Sequence, residues 1–134
     1  MTKIIDVEGI GEVYAIKLKN AGIRSVEALL EKGATPKGRK EIAEATGISD
    51  KLILEWVNHA DLYRIKGVGS EYSDLLEEAG VDTVVELAQR KPENLYARIV
   101  DVNAQKKLVR KLPTLKQVQD WVAQANKLDR KIQY

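Results

Sequence analysis

Two features of this chain have the residue types to hold an anion: paired glycines that bare backbone N–H groups, and one run of lysine and arginine. Gly9-Ile10-Gly11 and Gly67-Val68-Gly69 each bracket a β-branched residue with glycines, and a tyrosine follows three positions later (Tyr14, Tyr72). Glycine accepts backbone angles that a Cβ forbids. A helix starting at such a turn aims unpaired N–H groups and its positive dipole end outward, which suits a phosphate oxygen. At the second turn Lys66 adds a cation, so Lys66, Gly67, Gly69 and Ser70 are the stronger phosphate candidates. Gly9 and Gly11 are weaker, because Glu8 and Glu12 flank them. The second candidate is the basic run. Between Val102 and Gln119 stand Lys106, Lys107, Arg110, Lys111 and Lys116, with no acid among them. Lys106 and Arg110 are four apart, as are Lys107 and Lys111, which predicts one broad helix face for the group.

Opposing charges qualify both turns. Just past the second glycines the chain has Glu12-Val13 and Ser70-Glu71, whose carboxylates repel a phosphate, and Asp74, Glu77 and Glu78 follow in the second copy. A smaller basic cluster, Lys37, Arg39 and Lys40, is diluted by Glu41 and Glu44. Net charge is only +2, split as 9 basic against 10 acidic groups in residues 1–62 and 13 against 10 in 63–134. Bulk charge therefore does not announce a nucleic-acid partner; local charge has to carry it.

Other chemistries lack their residues. There is no cysteine and one histidine, His59, so neither a disulfide nor a thiolate or histidine metal centre is expected. No nucleophile–base–orienter set and no phosphate loop ending in Gly-Lys-Ser/Thr occurs. The expectation is a non-enzymatic protein with no cofactor. No apolar run approaches membrane-spanning length and the N-terminus has no signal-peptide core, which predicts a soluble, cytoplasmic protein.

The elements that must position these groups repeat. Shifted by 58, residues 7–30 lie over 65–88 with Gly9, Gly11, Tyr14, Leu18, Ala21, Gly22, Val26 and Leu29 identical, eight of 24 positions. Further on the offset is 65, where Trp56-Val57 meets Trp121-Val122, so the second copy carries about seven extra residues. The boundary is placed at 62/63, giving copies 1–62 and 63–134. In copy 1, helices are predicted over about 12–21 (Val13, Tyr14, Ile16 and Leu18 inward), 26–32 after a Ser25 cap, 36–46 after Thr35-Pro36, and 50–62 after Ser49. Copy 2 repeats this over about 70–79, then after a Thr83/Glu86 capping box, from Pro92 to about Val102, and over 115–128 after a Thr114/Gln117 box. The basic segment makes a further stretch at about 104–111, for about five helices a copy. Trp56, Trp121, Tyr14 and Tyr72 read as core anchors, the tyrosines with their hydroxyls at the edge, and His59 as a surface or boundary residue. No segment alternates as a strand does, so the fold class is all-α.

The glycine turns resemble the helix-hairpin-helix motif. The run Glu8-Gly9-Ile10-Gly11, Ala21-Gly22-Ile23-Arg24-Ser25-Val26-Glu27-Ala28-Leu29 and Glu44-Ala45-Thr46-Gly47-Ile48-Ser49 resembles the N-terminal helix-hairpin-helix domain of RadA-type recombinases over about 55 residues. The whole chain is similar to a bacterial family of uncharacterised tandem helix-hairpin-helix proteins. Its second copy matches through Asn94-Leu95, Leu108-Val109-Arg110-Lys111-Leu112-Pro113 and Val118-Gln119-Asp120-Trp121. The resemblance implies tandem helix-hairpin-helix (SAM-like) halves packed as one compact body, and no particular activity. Two functions fit. One is sequence-independent DNA binding through phosphates, by the second hairpin and the 106–116 segment. The alternative is a protein–protein interaction or scaffold module whose hairpins are structural.

Overall fold

The computed structural model describes residues 3–7 and 9–134; Glu8, noted for its charge, lies outside them. The described residues form a short 3-10 turn (Ile4–Asp6) and eight α-helices: α1 (Glu12–Asn20), α2 (Val26–Lys32), α3 (Pro36–Thr46), α4 (Asp50–Leu62), α5 (Ser70–Glu78), α6 (Val84–Ala88), α7 (Pro92–Lys106) and α8 (Leu115–Ala125). The fold is all-α, and its only β feature among these residues is an isolated bridge between Lys3 and Ser25. The chain divides into two compact units, Met1–Asp61 with Lys131–Tyr134, and Leu62–Arg130. Four α-helices fall to each, one fewer per copy than the sequence suggests.

Local signals explain most helix ends. Ser25, Thr35, Ser49, Thr83 and Thr114 each accept a hydrogen bond from the backbone N–H three residues on, at 3.0 to 3.4 Å. Thr114 and Gln117 form a reciprocal capping box. Thr83 caps singly: the Glu86 carboxylate accepts from the Thr83 hydroxyl at 3.4 Å. α1 and α5 end in the same way, on Gly22 and Gly80 at φ +86° and +96°. There the following Ile23 and Val81 N–H groups reach back to Leu18 and Leu76 at 2.8 and 2.9 Å.

In the first unit α1 and α2 pack on α3. Ile4, Val7, Ile10, Leu18, Ile23, Leu29, Ile53 and Trp56 are among its buried side chains. The C-terminal residues complete it. Ile132 is buried, the Gln133 N–H donates to Ala34 at 2.7 Å, and Arg39 donates to the carbonyls of Gly33 and Gln133 at 2.9 and 2.8 Å. Arg39 is thus buried and cannot serve with Lys37 and Lys40 as a surface cluster. Burial pushes its guanidinium below its ordinary value, with Tyr134 and Asp50 acting in the opposite direction. His59 is also buried, on an α4 whose C-terminal half is enclosed nearly all round.

In the second unit α8 packs on α6 and α7, and α5 on α7. Its core runs from Leu62 and Ile65 through Leu75, Leu76, Leu95 and Ile99 to Trp121 and Ala125.

Candidate functional site

The two glycine turns share one geometry. Gly9 and Gly67 take φ +90° and +97°. The next residues, Ile10 and Val68, point inward as 4% and 5% exposed plugs, and their N–H groups close on Val7 and Ile65 at 3.0 and 3.1 Å. Beneath each first glycine lies a tryptophan. A Cβ on Gly9 would stand 3.3 Å from Trp56 Nε1, and one on Gly67 3.1 Å from Trp121 Nε1. Each indole meets the tyrosine of its own turn in a tilted contact: Tyr14–Trp56 at 5.1 Å, Tyr72–Trp121 at 5.3 Å between centroids. The positive φ favours glycine at the first position, and a Cβ there would also press on the indole, which would have to give by a few tenths of an ångström.

The second glycines answer to a different demand. Gly11 and Gly69 have extended backbone, sit at the N-caps of α1 and α5, and would carry a Cβ into open space. Neither helix start has a side-chain cap. Both glycines are exposed, and the first-turn N–H groups of a helix have no partner within the helix.

The basic groups around the second turn are placed less uniformly than their spacing predicts. Lys66 is exposed, but its backbone is engaged: its N–H donates to Gln124 Oε1 at 2.9 Å, and Gln124 Nε2 donates to its carbonyl at 3.1 Å. Only the Lys66 ammonium remains to meet an anion. The basic run is not one helix face. α7 carries Lys106 and stops at Lys107, which takes φ +51°, the only positive φ of a non-glycine among the described residues. Asn103 enforces the stop, its side chain accepting from the Val109 N–H at 3.0 Å and donating to the Val109 carbonyl at 3.3 Å. Val109 and Pro113 are buried, so 107–114 is an anchored loop. Within it Lys107, Arg110 and Lys111 are exposed. Lys116 is exposed in the first turn of α8, beyond Pro113 along the chain.

Two contacts join this loop and the end of α7 to the helix that starts at the second glycine turn. The Tyr72 hydroxyl, in the first turn of α5, donates to the Lys111 carbonyl at 3.0 Å. Lys106 Nζ lies 2.7 Å from Glu78 Oε2 near the other end of α5. The first contact ties the backbone of the loop at Lys111 to a side chain from the first turn of α5; the second sets the charge of Lys106 against a carboxylate. Exposed Glu71 in the first turn of α5 opposes an anion there. The sequence marks Tyr72 as a core anchor without its bond to the loop, and it does not mark Asn103 or Gln124.

These features define an all-helical protein of two units, each built around the same glycine turn seated on a tryptophan. The chain belongs to the family described as a domain of unknown function (DUF4332), whose model matches residues 8–128. No curated protein and no solved structure matches it. No helix among the described residues is long and apolar enough to cross a membrane.

Proposed function

We propose that the second unit is a non-enzymatic, sequence-independent DNA-binding module that grips backbone phosphates. In this reading the two turns are helix-hairpin-helix motifs, related to those of RadA-type recombinases and arranged as tandem halves. One phosphate sits on the N–H groups after Gly69, at the start of α5. Lys66, Arg110 and Lys111 supply the surrounding charge, with Lys107 and Lys116 at the margin. The observation that carries the reading is the Tyr72–Lys111 hydrogen bond, because it tethers the basic loop to the first turn of the hairpin helix. Backbone donors and cations then serve one stretch of phosphates, and such contacts position a duplex without reading its bases. The first unit has the bare helix start but no such loop.

The test is fluorescence anisotropy of a labelled generic duplex titrated at several salt concentrations. Binding should weaken on a log–log plot with a slope of roughly −3, as expected for three or four neutralised phosphates. Arg110→Glu with Lys111→Glu should lower affinity at least about tenfold and flatten that slope. Glu78→Gln, which frees Lys106, should raise affinity a few-fold. Absence of binding at low salt overturns the proposal.

A further inference from the structure

The hairpin helices of the two units differ most on their exposed sides. On α1 Val13 is 67% and Ile16 58% exposed, the two most exposed large aliphatic side chains among the described residues. Three residues apart on a helix, they form one continuous apolar strip. The residues 58 positions on in α5 are Glu71 and Asp74, and the counterpart of exposed Lys17 is the fully buried Leu75. The second unit has made this face polar and partly covered; the first leaves it apolar and open. Isolated exposed aliphatics are ordinary, but a paired strip on a helix whose repeat partner carries two acids is a surface suited to contact.

The charges beside the strip indicate the occupant. Glu12 precedes Val13 and Lys17 follows Ile16, both exposed. When two such helices run antiparallel about a two-fold axis, residue i faces residue 29 − i. Val13 then meets Ile16, and Glu12 meets Lys17, twice over. We propose that α1 is the docking face for a second copy of this chain. Val13 packs on Ile16 of the partner subunit, and Glu12 pairs with Lys17 of the partner subunit. The contact is isologous, as two-fold symmetry demands, and the antiparallel helix dipoles favour it. This proposal stands apart from nucleic-acid binding, since it uses the other unit and is tested without DNA.

The strip is small, so the dimer is weak, half-formed on the order of 0.1 mM. Sedimentation equilibrium of the full chain over a wide concentration range should show a mass rising from 15.0 kDa towards twice that value. The double variant Val13→Glu, Ile16→Asp installs the residues the second unit already carries. It should stay monomeric with an unchanged thermal melt, which separates loss of docking from loss of fold. Glu12→Lys and Lys17→Glu should each weaken association about threefold or more, and together restore it. A chain that remains monomeric at several hundred micromolar overturns the proposal, and so does a dimer indifferent to Val13→Glu, Ile16→Asp. A charge swap that fails to restore association overturns the antiparallel register.

Discussion

The two units use one scaffold for two surfaces. Each has a positive-φ glycine seated on a tryptophan, a buried β-branched plug, a tyrosine against the indole and a glycine stop eleven residues beyond the second turn glycine. They diverge where the third helix of each unit ends. In the first, Gly47 at φ +75° closes α3, and Ser49 caps the next helix almost at once. In the second, α7 runs on to a stop at Lys107, and the 107–114 loop follows before Thr114 caps α8. The loop is tied to the hairpin helix through Tyr72 and carries three exposed cations, Lys107, Arg110 and Lys111. The difference teaches that turn, plug and indole are fixed by packing, while the surface chemistry lies in the insertion and in exposed positions that packing leaves free.

The strongest test of the shared scaffold is removal of its aromatic floor. Trp121→Ala and Trp56→Ala should each cost about 3–5 kcal/mol in chemical denaturation, because both side chains are fully enclosed. A much smaller cost at one of them would break the equivalence of the two units. Next is the contrast within a turn. Gly67→Ala meets both an unfavourable φ and the Trp121 indole at 3.1 Å, and should destabilise by about 1–3 kcal/mol. Gly69→Ala, in extended backbone facing open space, should stay within about 0.5 kcal/mol. Equal costs for the pair would show that the second glycine is also a packing residue. Smallest is the helix stop that the units make with different residues. Lys107→Gly gives the second unit the first unit's stop and should raise unfolding free energy by roughly 0.5–1 kcal/mol, since glycine accepts φ +51° without a Cβ penalty.

Much of the helical frame is legible in the residues. Ser25, Thr35-Pro36 and Thr114 with Gln117 mark helix starts where helices start, and Gly22 and Gly80 mark the stops. The readings that fail have a common cause. Helical spacing assigns Val13 and Ile16 to the core face of α1, yet they are exposed while Ala15 and Leu18 are buried. α1 carries apolar residues around much of its circumference, so periodicity alone does not say which side faces inward. The even spacing of Lys106, Lys107, Arg110 and Lys111 suggested a helix. The Asn103 side chain and the burial of Val109 end it at Lys106 instead. Arg39, grouped by sequence with surface lysines, is drawn inside by two carbonyls, one of them contributed by Gln133.

By itself the sequence determined the all-helical class, the positions of most caps, and the repeat of turn, tyrosine and tryptophan. The helices and their caps rest on backbone preferences and on hydrogen bonds reaching three to five residues, which operate in any chain that contains them. Only the tertiary structure decided which side of α1 stays open, where the basic loop lies, and that residues 131–134 belong with the first unit. Each of those depends on groups far apart in the chain, Tyr72 with Lys111 or Arg39 with Gln133. Such contacts form only once the core has already offset the entropy of closing the loops between them.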